Sequence, residues 1–509
     1  MDYKLQSRWR MKIPEKKLSL IKKLKWLLLS LGIVVAICIA VISIRRNHIP
    51  SWVSWKEKEI SFDNEKDKAY SGIVVALKNK KLQVKDRNGD IAFRSERGFK
   101  VQDVFVTDID RDGDKEMIAL LWKKGKYGKH RPFWVKSDEK DYSQHIFLYD
   151  LSPDGSVEHK WGASEIGVDA VRMKLMEKNS SILLIEDKDK KCTLWTWEGW
   201  GLKNIENEVS VVAFGDNLIH EPIYEHARDN ENGSFDFLYE PFIKEIQSAD
   251  IAALNAETVL VDKESMVGGY PSFGSPIEVG QAIKKAGFDV AECANNHVLD
   301  RGVTGIDITT SFYKDNEITC VGIQSSSDTE YRPYEIISRN GIKIALLSYT
   351  YGTNAGDISN DYPNVVHYLP KEHEATEQGD EPAEDEKKLI EDLKSAREEA
   401  DFVVVFVHWG DEYVKEITPS QERYAQLFAK GGADVVIGSH PHVVQETKMM
   451  ERPDGGNMLV YYSLGNFRAA QGQSEDTKKG AEAYFTLGYT FDGVEIQNYE
   501  TKEINAYWK

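Results

Sequence analysis

Asp216, Glu257, Asn296, His408, His440 and His442 offer carboxylate, amide and imidazole donors, and each stands at or just beyond the end of a short apolar run. Five stretches carry them. The first runs from Val209 through Gly215-Asp216-Asn217 to His220. The second runs from Ile251 through Asn255 to Glu257, and the third from Phe288 to Gly302, with Asn295, Asn296, His297 and Asp300. The fourth, Phe402 to Tyr413, holds His408 and Glu412, and the fifth, Ala433 to Val443, holds His440 and His442. Taken singly, a strand-end Asp caps a turn and a His after an apolar run is a satisfied core residue. Five such places in one domain make a metal-site pattern. An oxygen-and-imidazole set of this kind suits Mn, Fe or Zn, one ion or two. His440 and His442 are separated by one residue, so each can reach a different ion.

Positioning these side chains takes a rigid scaffold. From residue 208 onward, apolar β runs alternate with helical stretches, the pattern of a layered α/β fold. A helix is expected from Glu384 to Glu399. The acidic stretch that leads into it, Glu372 to Glu386, reads as a solvated loop or a lid over the cleft. Gly268 to Pro276 lies between the second and third motifs, as a substrate-contacting loop or as an ordinary connection.

The ordered series GDNLIH, NAE, NNHVLDRG, HWGDEY, GSHPHVV and YSLGNF (the last over Tyr462 to Phe467) resembles the CapA capsule-synthesis family, itself similar to calcineurin-type metallophosphoesterases. The resemblance covers about half of the chain. It implies an α/β/β/α sandwich over residues 208–509 with the site at the strand ends. It also implies roles. Asp216 would bind one metal, Glu257 would stand for the bridging carboxylate, and Asn296, His408, His440 and His442 would complete the ligand set. His297 would donate a proton or contact the substrate, with Asp300 beside it as a second catalytic residue. Asn217, Asn255, Asn295, Glu412 and Asn466 would support and orient the ligands. Two positions depart from the superfamily pattern: Leu218 stands where His is usual, with His220 as the candidate replacement, and the bridging Asp has become Glu257.

Residues 50–207 read as an all-β domain of short strands and tight turns. Asp108, Asp110, Asp112, Asp114 and Glu116 alternate along a loop turned by Gly113, a spacing that can converge oxygens on Ca²⁺. The loop resembles those of FG-GAP and VCBS repeats. One copy is visible, short of a complete propeller. The alternatives are a structural calcium loop and an acidic hairpin turn.

Trp26 to Ile44 contains no charged residue, and a helix of about 20 apolar residues spans the bilayer core. Nine Lys or Arg precede it and only Arg45 and Arg46 follow directly. The positive-inside rule then places residues 1–25 in the cytoplasm and the bulk of the chain outside. Ile42-Ser43-Ile44-Arg45-Arg46 is a poor cleavage site for a signal peptide, so an uncleaved single-pass anchor in the cell membrane is expected. A net charge of −18 argues against a nucleic-acid partner. Cys38, Cys192, Cys293 and Cys320 are too scattered for a disulfide framework, and buried thiols are expected.

Three functions fit: a metallohydrolase acting on a phosphoester or an envelope polymer, a non-catalytic subunit working with other capsule-synthesis membrane proteins, or a surface module on a vestigial enzyme fold. The family resemblance implies poly-γ-glutamate, a polyanion, as the polymer.

Overall fold

A computed structural model describes residues 48–509 except 64, 129–130, 177–178 and 372–382. The expected anchor, residues 26–44, and most of the acidic stretch before the Glu384 helix lie outside the described residues. Among the described residues no helix is long and apolar enough to cross a membrane. The chain divides into two compact units, the first ending at Ile205 and the second beginning at Glu206.

The first unit is three antiparallel four-stranded sheets, each built from consecutive strands. The first holds β1 (Lys58–Ser61), β2 (Val74–Lys78), β3 (Lys81–Lys85) and β4 (Ile91–Arg94). The second holds β5 (Lys100–Thr107), β6 (Lys115–Lys124), β7 (Tyr142–Leu151) and β8 (Val157–Gly162). The third holds β9 (Ala170–Met176), β10 (Asn179–Asp187), β11 (Cys192–Glu198) and β12 (Gly201–Ile205). Alternating apolar residues give the middle sheet two buried faces. Met117, Ala119 and Leu121 pack toward the first sheet, and Ile118, Leu120 and Leu148 toward the third. A propeller closes with four or more such sheets.

The second unit opens with β13 (Glu208–Leu218), α1 (Glu221–Asn230), α2 (Ile243–Ser248) and β14 (Ile251–Ala256). The short pair β15 (Leu260–Val261) and β16 (Ser275–Pro276) leads to α3 (Ile277–Ala286), β17 (Val290–Glu292), α4 (Gly302–Asp315) and β18 (Thr319–Val321). Next come β19 (Glu335–Arg339), β20 (Ile342–Thr350), α5 (Glu384–Glu399), β21 (Phe402–His408), α6 (Pro419–Gly431) and β22 (Val435–Ser439). The unit ends with β23 (Thr447–Glu451), β24 (Asn457–Tyr461), β25 (Asn466–Ala469), β26 (Lys479–Tyr489) and β27 (Val494–Asn505).

Apart from the separate pair β15-β16, these strands form two mixed sheets. One has the order β18-β17-β14-β13-β26-β27, with β25 also pairing β13, and the other β19-β20-β21-β22-β24-β23. Strands β18, β17, β14 and β13 run parallel, as do β20, β21, β22 and β24. Helices α1, α3 and α4 bury their apolar stripes on the first sheet through Ile223, Ile283 and Ile306. Helices α5 and α6 do so on the second through Leu389, Leu393 and Phe428. The other face of each sheet is buried too. Tyr461 Oη of the second sheet donates to the carbonyls of Tyr484 and Glu500 in the first. Helices therefore lie outside and two sheets inside.

Candidate metal centre

The carboxyl ends of the parallel strands in both sheets converge, the place where open α/β sheets bind ligands. Asp216 lies near the end of β13, Asn255 near the end of β14 and Glu257 one residue past it. His408 ends β21, and His440 and His442 follow β22 directly. Close strand approach dictates some of the intervening residues. A Cβ at Gly215 would meet the Gly465 carbonyl oxygen at 1.9 Å, and one at Gly438 the Tyr462 carbonyl at 2.0 Å. His440 and His442 sit at φ 97° and 58°, a strained backbone for non-glycine residues. That turn aims both rings at the first sheet.

The donors form two groups. Glu257, His408 and His440 bring ligand atoms within 4.8 Å of one another, and so do Asp216, Glu257 and His442. Glu257 belongs to both. Its Oε1 is 3.5 Å from His408 Nε2 and 3.8 Å from His442 Nε2. Asp216 Oδ2 is 2.8 Å from His442 Nδ1, and Asn296 Oδ1 is 3.0 Å from His408 Nε2. All six side chains are buried.

The electrostatics of the protein alone are unfavourable here. Burial, followed by the charges of Asp216, Glu292 and Glu412, pushes the Glu257 carboxyl well up. Burial and Asp216 do the same to Glu292. Burial and the neighbouring imidazoles push His408 well down and His440 down to about 3. Glu257 Oε1, His440 Nδ1, Asn255 Oδ1 and Asn466 Oδ1 are buried with no hydrogen-bond partner among the described residues. Buried polar atoms are seldom left so. Crowded carboxylates, neutral imidazoles and orphaned lone pairs together fit divalent cations. The donor set suits a borderline transition metal.

Other expected residues take distinct places. Asn255 lies at the centre, its Nδ2 donating to Asp216 Oδ1 at 2.8 Å and to Glu257 Oε2 at 3.3 Å. His297 Nδ1 is 2.7 Å from Asp300 Oδ2, which also accepts from the Phe273 amide. That contact ties the Gly268–Pro276 loop to the site, with the Phe273 ring edge-on to His297. Asn295 holds its own loop through the Ala256 and Cys293 carbonyls. Asn217 accepts from Tyr239, and Asn466 donates to Gln471 and Thr477. Glu412 is exposed. His220 belongs to neither donor group. Its Nδ1 meets the Leu218 carbonyl at 2.9 Å, and burial brings its pKa down to about 4.

The sequence reading did not single out Glu292, Ser439 or Tyr351. Ser439 Oγ is 2.9 Å from His408 Nδ1 and 3.4 Å from Glu292 Oε1, so it fixes the ring whose Nε2 faces the donors. Tyr351 and Tyr413 lie tilted against the His440 and His442 rings at the mouth, each with its phenol pushed up to about 12, mainly by burial. Both stay protonated as donors at neutral pH.

In the first unit, Asp108, Asp110 and Glu116 bring oxygens within 4.8 Å of one another. Asp108 accepts from the Asp112 and Gly113 amides, and Asp112 from that of Asp114. Lys160 Nζ lies among these acids, 2.5 Å from Asp110 Oδ2, 3.0 Å from Glu116 Oε1 and 3.0 Å from Asp150 Oδ1. Burial nevertheless pushes Glu116 up to about 7.

The family model for the bacterial capsule synthesis protein PGA_cap matches residues 210–471, the stretch that carries both donor groups of the second unit. The chain belongs to this family. Among curated proteins it is 28% identical over 297 residues to the capsule biosynthesis protein CapA of Bacillus anthracis, covering 56% of this chain and 66% of that one. It is 29% identical over 192 residues to the PGA biosynthesis protein CapA of Bacillus subtilis, covering 38% and 45%. The chain thus spans less than two thirds of either relative. Among solved structures, a hypothetical protein from Thermus thermophilus aligns with a TM-score of 0.33 at 17% identity, over 58% of this chain and 99% of that one. The calcineurin-like phosphoesterase YfkN of Bacillus subtilis aligns at 0.31 and 14%, over 59% and 91%.

Proposed function

We propose that this chain is a membrane-anchored capsule-biosynthesis protein whose outer α/β unit is a metal-dependent hydrolase of an anionic envelope polymer, poly-γ-glutamate or a phosphoester. The observation that carries the reading is Glu257, shared between Asp216 with His442 on one side and His408 with His440 on the other. Metals held there would supply Lewis acidity and lower the pKa of a bound water. The chain's own residues supply the rest. Asp300 accepts from His297 Nδ1, which holds the ring in one orientation, so Nε2 of the imidazolium can hand a proton to the departing oxygen or nitrogen. In hydrolysis the water oxygen gives up a proton to solvent as it bonds to phosphorus or to the carbonyl carbon, the scissile bond breaks, and the leaving atom takes the His297 proton, which the ring regains from solvent. Tyr351 and Tyr413 stand as phenol donors for carboxylates or phosphate oxygens at the mouth. The membership in the capsule synthesis family supports an anionic polymer as the substrate class.

The test is turnover of poly-γ-glutamate and of a general phosphoester by the metal-loaded full chain. The reading expects hydrolysis of one of them, lost in Asn296→Ala, His440→Ala. Bound metal with turnover of neither would move the protein to a non-catalytic subunit of a polymer synthesis and export complex.

A further inference from the structure

The connection between β6 and β7 ends in two bare aromatic side chains. Phe133 is 94% exposed and Trp134 71% exposed, their rings edge to face at 4.8 Å. A turn closed by the Val135 amide on the Pro132 carbonyl sets both at the tip. The base is held firmly: the Gly125 amide donates to Asp141, and the Lys126 amide to Asp138. Large aromatic rings normally bury most of their area, so a paired exposure of this size needs a partner.

Charge narrows the partner. From Lys123 to Asp141 the sequence holds seven Lys or Arg and three Asp or Glu, a local excess of positive charge in a chain of net −18. Arg131 and Lys136 flank the tip and are exposed. A polyanionic polymer would answer the charges and leave the rings in water. A bilayer interface with anionic headgroups answers both.

Position narrows it further. Trp52, at the start of the described chain, packs on Trp122 at 5.9 Å between ring centroids. Trp122 lies three residues before the Gly125 base of this connection. The chain therefore enters the first unit at the end that carries the aromatic tip. The apolar run ends at Ile44, eight residues before Trp52, a reach of at most about 28 Å.

We infer that the Arg131–Lys136 tip is a membrane-docking loop: Phe133 and Trp134 enter the interface of an anionic phospholipid leaflet, and Arg131 and Lys136 pair with its phosphates. The inference rests on residues 26–44 being an anchor. Two contacts on one surface, helix and loop, would orient the first unit on the membrane.

The test is hydrogen–deuterium exchange of the full chain reconstituted into phosphatidylcholine vesicles, with and without about 30% phosphatidylglycerol, with flotation measured in parallel. Exchange across 131–136 should slow about five-fold or more in the anionic vesicles. The Phe133→Ser, Trp134→Ser and Arg131→Glu, Lys136→Glu double variants should lose that slowing and still float. Flotation with equal exchange in both lipids would overturn the loop and leave the anchor standing. Absence of flotation would overturn both. Slowing that appears only on addition of poly-γ-glutamate, or only as protein density rises, would replace the lipid by the polymer or by a second copy.

Discussion

His442 Nδ1 lies 2.8 Å from Asp216 Oδ2, although 226 residues separate them and they stand at strand ends of different sheets. The contact joins the first and fifth motifs through the two-sheet interface, and Glu257 lies next to both. If this trio holds a metal, Asp216→Asn and His442→Asn should each weaken metal affinity by about 10- to 100-fold or more. Because they serve one ion, the double variant should lose little beyond either single one. Titration with Mn²⁺ or Zn²⁺ by calorimetry checks this. Additive losses would place the two residues at separate sites.

The His297–Asp300 pair makes a separate forecast. Neither residue is in a donor group, so His297→Ala should cut turnover by about 10²- to 10⁴-fold while metal content stays at the wild-type level. Asp300→Asn should cost part of the same factor, through the orientation of His297. Elemental analysis beside steady-state rates separates this outcome from metal loss, which would make His297 a ligand.

His367 supplies a pH dependence away from the metal donors. It is buried, with its Nε2 facing Gln324, and burial aided by Lys388 and Arg332 brings its pKa down to about 3. Its folded value lies below the ordinary 6.5, so below pH 6.5 the unfolded chain binds a proton that the folded chain refuses. Stability from this group is complete above pH 6.5 and declines as pH falls toward 3. The decline is at most about 1.4 kcal/mol per pH unit. Urea midpoints of wild type and His367→Asn at about pH 7 and about pH 4 should show the variant's disadvantage shrinking by about 2–3 kcal/mol at the lower pH. A disadvantage independent of pH would contradict the account.

Lys160 sets the cation response of the first unit. Its ammonium lies where the oxygens of Asp110, Glu116 and Asp150 meet. Lys160→Met removes a competing positive charge, so it should tighten Ca²⁺ binding by about tenfold or more. Without Ca²⁺ the same variant should lose about 3 kcal/mol, because buried Glu116 loses its ion pair and keeps only the Ile109 amide. Thermal melts with and without Ca²⁺ read both effects, and a variant indifferent to Ca²⁺ would leave the loop an acidic hairpin turn.

What could be read from the sequence follows from what is local. Apolar runs of β type gave the strands, and a polar residue at the end of a parallel strand necessarily points into the edge where the other strand ends gather. That is why Asp216, Glu257, His408, His440 and His442 are legible in the sequence as candidate donors. Partners across the sheet interface are not local. Glu292 sits inside an apolar run, and only the approach of β22 to β17 brings Ser439 between it and His408. Asn255, expected to support the ligands, lies among them, because its neighbours come from β13 and β21. Lys160 was invisible as a partner of the acidic loop, since it arrives from β8, 44 residues beyond Glu116.

The most direct test of the central claim is the number of metal ions on Glu257. Full-length protein loaded with Mn²⁺, freed of excess and studied by elemental analysis and electron paramagnetic resonance should hold about two ions per chain with a spin-coupled spectrum. Glu257→Gln should leave at most one, uncoupled. Two ions with no magnetic coupling, or a stoichiometry untouched by Glu257→Gln, would contradict a centre bridged by that carboxylate.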